Sequence, residues 1–255
     1  MRSTALAIFA HPDDIEYFGA GTLILLKKAG FETHYFNLST GNCGSVEMGA
    51  EETRRVRLAE AQSAASILGA HFHHPICDDL EIFYDLPTLR LVAGVVRQVK
   101  PSIILTHPPQ DYMEDHTNTC RLAVTAAFCR GMPNYPTQPP TPVTSQSVTL
   151  YHAQPYSHHD PLGKLIYPEY YVDVGGLQQR KQEMLALHVS QKQWLDESQG
   201  LDSYLKTMTS LDQQLGSMSD RYSHAEGWRR HLHLGFCDAT DDPLLDALNG
   251  FIFQA

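Results

Sequence analysis

The sequence predicts an α/β fold in which helices flank a mainly parallel sheet, and three observations carry that expectation. Short apolar runs alternate with longer helical patterns, Ser102–Thr106 is apolar and β-branched like a strand buried on both faces, and polar clusters follow two of these runs.

The first strand is Ala5-Leu6-Ala7-Ile8-Phe9, followed by a helix over Phe18–Lys28 and a second strand over Thr33–Leu38. Glu51–Leu68 carries a helical stripe of Val56, Leu58, Ala61, Ala65 and Leu68, with Gly69 as its stop. His71–Ile76 reads as a third strand, and Leu86–Lys100 as a helix closed by Pro101. Ser102–Thr106 is then the central strand, ending at His107-Pro108-Pro109. Helical pattern resumes over residues 116–130, the proline-rich stretch Pro133–Pro142 is a surface excursion, and Val148–Tyr151 returns as strand. Leu177–Leu187 and Leu201–Met208 read as helices. There is no internal repeat.

Composition narrows the function classes. A chain of 255 residues with no Pro/Gly/Ser-rich linker reads as one large domain. Nineteen basic against twenty-nine acidic residues, a net charge of −10, argue against nucleic acid or an anionic membrane as partner and point to a small-molecule substrate. The start of the chain lacks the apolar core of a secretory signal and no apolar run reaches spanning length, so a cytoplasmic protein is expected. Cys43, Cys77, Cys120, Cys129 and Cys237 are odd in number and form no CxxC pair, which suits packing rather than disulfides or a thiolate zinc site.

Ala10-His11-Pro12-Asp13-Asp14, at the end of the first strand, puts one imidazole and two carboxylates within four residues. That supplies metal ligands together with a spare carboxylate to act as a base, the minimum for metal-assisted hydrolysis. The plainer alternative is a turn whose aspartates cap the next helix. A second cluster, Asp111-Tyr112-Met113-Glu114-Asp115-His116, follows the central strand. Because open α/β sheets bind ligands at the carboxyl ends of their strands, such a sheet can bring His116 alongside His11 and Asp14. Two imidazoles and one carboxylate make a three-ligand set that Zn2+ accepts, with Fe2+ or another divalent metal as alternatives.

Ala10–Glu16, followed by Gly19-Ala20-Gly21-Thr22, resembles the N-terminal signature of the PIG-L/LmbE-like family of zinc-dependent de-N-acetylases. Thr40-Gly41 through Gly44 is similar to that family's loop after the second strand, and Arg57-Leu58-Ala59-Glu60 with Ala64, Leu68 and Gly69 to its R-x-x-E-x-x-x-A-x-x-x-L-G helix. Asp111–His116 resembles the second metal motif, His188-Val189-Ser190-Gln191 the H-x-S-Q segment, and Ala225-Glu226-Gly227-Trp228-Arg229 the A-E-x-F segment. The resemblance implies the Rossmann-like LmbE-like fold and removal of an acetyl or other small acyl group from an N-acylated amino sugar or related amine. It further implies that His11, Asp14 and His116 bind the metal, that Asp13 is the general base, and that Asp115 orients a metal-site imidazole. Asp115 can also be read as a helix N-cap. Homo-oligomers, trimers or hexamers, are common in the family.

One departure matters. Where the family motif commonly reads D-x-H-P-D-H, this chain has Met113-Glu114, in what looks like a sub-branch pattern, Asp-Tyr-Met-x-Asp-His. Methionine donates no hydrogen bond, and Tyr112 or His188 could fill the place of the missing imidazole as oxyanion stabiliser or acid. Arg57 matches a family arginine that binds substrate, although with Glu60 three residues on it also reads as a solvated helical pair. Asp79 matches a substrate-contacting carboxylate, with the correspondence slipping by one between Asp78 and Asp79. His71, His73 and His74 read as surface or core histidines, since strand alternation separates His73 from His74 and no carboxylate stands at ligand spacing. His158, His159 and Asp160 read as a polar surface loop, and His231 and His233 match nothing. Two other function classes fit less well. A two-His-one-carboxylate Fe(II) oxygenase normally has an antiparallel β fold, and a nucleotide-binding module would show G-x-G-x-x-G where His11-Pro12-Asp13-Asp14 stands.

Overall fold

The computed structural model describes residues 3–199 and 204–255. Its strands are β1 (Thr4–Phe9), β2 (Glu32–Asn37), β3 (His71–His73), β4 (Ile103–Thr106), β5 (Thr149–Ala153), β6 (Tyr170–Asp173), β7 (Ala225–Arg230) and β8 (Ile252–Gln254). They join in one sheet in the order β3-β2-β1-β4-β5-β7-β6-β8. The first five in that order pair in parallel, and β7, β6 and β8 continue antiparallel. The expected mixed α/β architecture is therefore present, with an antiparallel extension that the sequence reading did not include.

The helices are α1 (Asp14–Phe18), α2 (Ala20–Lys28), α3 (Ala50–Leu68), α4 (Leu86–Val99), α5 (Glu114–Phe128), α6 (Gln178–Leu185), α7 (Val189–Gln199), α8 (Tyr204–Met218) and α9 (Pro243–Ala247). The first helix begins earlier than expected and breaks at Gly19, where a Cβ would lie 3.2 Å from the Trp228 ring. Strand β3 is shorter than expected, because Pro75 cannot donate to a ladder. Of the helix expected over Leu201–Met208, the first three residues lie outside those described, and the remainder belongs to α8, which runs on to Met218. The sequence reading missed α7 and α9.

Alternation along β1 feeds two cores. Ala5, Ala7 and Phe9 join Leu23, Leu26, Ala65 and Trp228 on one face; Leu6 and Ile8 join Val92, Val96, Leu122 and Ala126 on the other. Cys120 and Cys129 are buried and Cys43 is exposed, all with free thiols. Among the described residues no helix is long and apolar enough to cross a membrane.

Glu226 explains why a carboxylate sits inside a buried strand. Its side chain accepts hydrogen bonds from Gly21 N (2.8 Å), Thr22 N (2.7 Å) and Thr22 Oγ1 (2.7 Å), which satisfies the orphan donors at the start of α2. Lys181 Nζ, fully buried, lies 2.7 Å from Glu226 and 2.6 Å from Asp212. The Trp228 indole donates to Thr22 Oγ1 at 2.9 Å. One carboxylate thus caps a helix from the N-terminal half and pairs a cation from the C-terminal half. Glu226→Ala is expected to cost about 3–5 kcal/mol, since it strips a buried charge pair of one partner; urea unfolding that moved by less than about 1 kcal/mol would contradict this role for Glu226.

Candidate metal centre and active site

Strand order reverses between β1 and β4, and the crevice outside their carboxyl ends is where an open α/β sheet holds ligands. The parallel register Ile8↔Thr106 brings the segment after β1 beside the segment after β4. Ala10 N donates to His107 Nε2 at 3.0 Å, so the two clusters are joined by a direct bond. In this crevice His11, Asp14 and His116 each offer a donor atom, and these atoms lie within 4.8 Å of one another. His116 Nε2 stands 3.5 Å from Asp14 Oδ1, is buried and makes no hydrogen bond. A buried imidazole nitrogen with no hydrogen bond, facing a carboxylate, is an arrangement that a divalent cation fits.

Each imidazole is backed by a carboxylate of its own. His11 Nε2 lies 3.1 Å from Asp115 Oδ2 and His116 Nδ1 lies 3.0 Å from Asp111 Oδ1, an arrangement that fixes ring orientation in metal sites. Asp115 also accepts from Leu80 N at 2.7 Å. It is therefore not an N-cap: α5 starts after Met113, and no side chain caps it. His107, Asp111 and His116 also gather within 4.8 Å, but Ala10 N–H already occupies His107 Nε2 and Asp111 is the orienting partner of His116. The set built on Asp14 is the better donor set.

The electrostatics ask for positive charge. Burial alone would lower the His11 pKa, yet its bonds to Asp115 and Asp14 push it up to about 10. His116 is raised to about 9 against the same burial, by the Asp14 charge and the Asp111 bond. Asp14 is held well below the usual carboxylate range, since the His116 charge and the His11 bond outweigh burial. His107, buried beside charged His116, is pushed down to about 4 and stays neutral. Protons on His11 and His116 occupy the role that a divalent ion would take.

Asp13 stands next to this donor set but outside it. Its backbone has φ 104°, a conformation that is costly for a residue with a Cβ and tends to cluster at functional sites. Although Asp13 precedes α1, its carboxylate makes no capping bond, which rules out the plain helix-cap alternative. Instead the Tyr204 hydroxyl donates to it, and Arg57 Nη2 lies 3.8 Å away. Burial raises the Asp13 pKa to about 6, with the Arg57 charge opposing.

The remaining expected residues divide into supports and mouth. Arg57 is buried and donates to Pro12 O (2.6 Å) and Gly41 O (3.2 Å). A Cβ at Gly41 would come within 2.5 Å of its side chain, which explains that glycine. Glu60, read as its solvated partner, accepts instead from Ser190 N and Oγ at 3.0 and 2.6 Å. Asp79 accepts from Ser39 Oγ, Gly41 N and Cys43 N and so shapes the loop after β2. Asp78 binds Thr40 and Arg54. His188 is fully buried 3.4 Å from Glu16, which also accepts from the Tyr35 hydroxyl. Tyr112 is exposed, its ring edge-on to His116 at 5.8 Å and tilted to Tyr156 at 5.8 Å; Tyr156 in turn lies 6.2 Å from Tyr17. His158 and His159 stay away from this crevice, bound to backbone carbonyls of Leu211 and Ser157. His231 bonds His152 at 2.9 Å, and His152 bonds His107 O. Sequence reasoning missed His107, whose position directly after a strand was the available signal, and Tyr204, for which there was none.

Residues 6–128 match the family model described as PIG-L, GlcNAc-PI de-N-acetylase. That match spans a little under half of the chain. Both halves of the donor set lie within that match. Over 130 residues the chain is 32% identical to 4-oxalmesaconate hydratase of Pseudomonas putida, covering 48% of this chain and 50% of that protein. The chain thus matches about half the length of that relative. The 4-carboxy-2-hydroxymuconate hydratase of Pseudomonas putida KT2440 shares the fold with a TM-score of 0.75 at 23% identity, over 94% of this chain and 99% of the other. N,N'-diacetylchitobiose deacetylase of Pyrococcus horikoshii does so with a TM-score of 0.76 at 20% identity, over 94% and 88%. The fold is therefore shared by proteins described as a deacetylase and as a hydratase.

Because the neighbouring carboxylates favour protonated His11 and His116, uptake of a metal on these rings should displace protons. Calorimetry at pH 7 in buffers of different ionisation enthalpy is expected to show roughly one to two protons released per zinc ion, with affinity falling as the pH is lowered. Zinc binding without proton release would overturn the assignment of these imidazoles as ligands.

Proposed function

We propose that the chain is a metal-dependent hydrolase that removes an acetyl or other small acyl group from an N-acylated amino sugar or related small amine. The observation that carries this reading is the strained, uncapped Asp13 carboxylate held beside a two-His-one-carboxylate donor set. A Zn2+ or similar divalent ion bound by His11, Asp14 and His116 would acidify a water and polarise an amide carbonyl. Asp13, with a pKa of about 6, is ionised at neutral pH, takes the proton of the attacking water and returns it to the departing amine. Tyr204 and Arg57 hold that carboxylate in place, and the buried His188, whose pKa is raised by Glu16 and Asp13 against burial, lies behind it.

Tyr112 takes the place of the family imidazole that Met113 lacks. A phenol hydroxyl is protonated at neutral pH, so it is a donor suited to the developing oxyanion. His188 has no solvent exposure and acts on substrate only through Asp13. The rings of Tyr17, Tyr112 and Tyr156 at the crevice mouth suit the apolar face of a sugar.

A second reading, hydration of an unsaturated oxo acid, is favoured by the hydratase relative. Such a substrate carries several carboxylates and calls for cations. Arg57, the cation beside Asp13, is committed to two backbone carbonyls, and this favours a neutral amide. Zinc-loaded protein offered a panel of N-acetylated sugars should release acetate. Turnover of an unsaturated oxo acid with no acetate from any sugar would decide for hydration.

Asp13→Asn is expected to retain zinc while kcat falls by about 10²–10⁴, because it removes a base and no ligand; parallel loss of the metal would mean that Asp13 is itself a ligand. Tyr112→Phe is expected to lower kcat by roughly 10²–10³ with little change in KM. A change confined to KM would reduce Tyr112 to a wall of the mouth.

A further inference from the structure

Strand alternation, which separates His73 from His74, sets His71 and His73 on one face of β3. The parallel register His34↔His71 places that face beside Glu32 and His34 of β2. The carboxylate missing from the sequence neighbourhood of these histidines therefore comes from the adjoining strand. Glu32 Oε1 lies 3.0 Å from His71 Nε2 and 3.5 Å from His34 Nε2, and one donor atom of each of the three residues falls within 4.8 Å of the others. Adjacent donors around a tetrahedral zinc are about 3.3 Å apart, given bonds of about 2.0–2.1 Å. Both carboxylate-to-imidazole spacings already bracket that value.

We propose that Glu32, His34 and His71 form a second site for a divalent cation of the zinc class, independent of the crevice described above. His73 is its positioning residue. His34 Nδ1 stands 2.9 Å from His73 Nε2, so with a cation on Nε2 His34 donates its remaining proton to His73, the outer contact that orients metal-bound imidazoles. His34 is buried while His71 and Glu32 reach solvent, which gives the ion an entry path and leaves room for water as a fourth ligand. Glu32 opens β2 and His71 opens β3, so the site lies at the amino ends of parallel strands. The crevice lies at their carboxyl ends, roughly 17 Å away at about 3.3 Å per residue along β2. Strand β3 is the three-residue edge of the sheet, and an ion bridging it to β2 would brace it.

Chelator-stripped protein titrated with Zn2+, with metal content measured after desalting, tests this. The wild type is expected to hold two ions per chain, His71→Ala or Glu32→Gln one, and His11→Ala/His116→Ala one. In that last variant zinc should raise the Tm, and adding His71→Ala should abolish the rise. His71→Ala alone should leave turnover unchanged, which separates this site from the crevice. A wild type binding one ion that is insensitive to His71→Ala, or zinc binding in the His11→Ala/His116→Ala protein that survives His71→Ala, would overturn the proposal. A single ion lost only with His71→Ala would support this site and remove the metal from the proposed function instead.

Discussion

The parallel register of β1 and β4 is the constraint on which the rest depends. Two segments about a hundred residues apart leave the sheet at the same level because their strands are hydrogen-bonded in step. The bond from Ala10 N to the His107 ring ties the two exits together. A slip of one residue would turn the side chains of one strand to the opposite face and separate the imidazoles. The apolar packing on both sides of β1 therefore fixes the geometry of the polar site, although none of it takes part in the chemistry.

That geometry concentrates charge at a cost. Asp13, Asp14, Asp111 and Asp115, all buried, crowd around His11 and His116. The carboxylates raise the pKa values of both imidazoles against their burial, so positive charge on the rings is favoured there. The same surroundings that make a proton welcome make a divalent ion more so. Backbone strain at Asp13 belongs to the same pattern, since a relaxed conformation there would let its carboxylate cap α1.

Much of this was legible in the sequence. Alternating strands and helices gave the parallel half of the sheet, and the two polar clusters at strand ends gave the donor set, because both signals are local. The antiparallel half was not legible. Strand β7 carries Glu226 and Gly227 where a strand pattern wants apolar residues, and each is explained only by a distant partner, the α2 N-terminus for Glu226 and Gln154 with Pro168 against Gly227. Arg57 and Asp79 read as substrate contacts, yet what the structure shows is their bonding to the loops that frame the crevice. Sequence spacing does not distinguish a residue that meets a ligand from one that holds the wall behind it. The histidines of β3 looked idle for a related reason, since Glu32 is a neighbour only once β2 and β3 pair.

Tyr204, the hydroxyl that grips Asp13, opens α8, far beyond residues 6–128. The donor set and the carboxylate beside it are thus encoded in one half of the chain, while a group that sets the carboxylate's proton affinity is encoded in the other. Drift in the C-terminal helices can retune reactivity without disturbing a single ligand. A fold arranged in this way can diversify its chemistry while the half that carries the donor set is inherited intact.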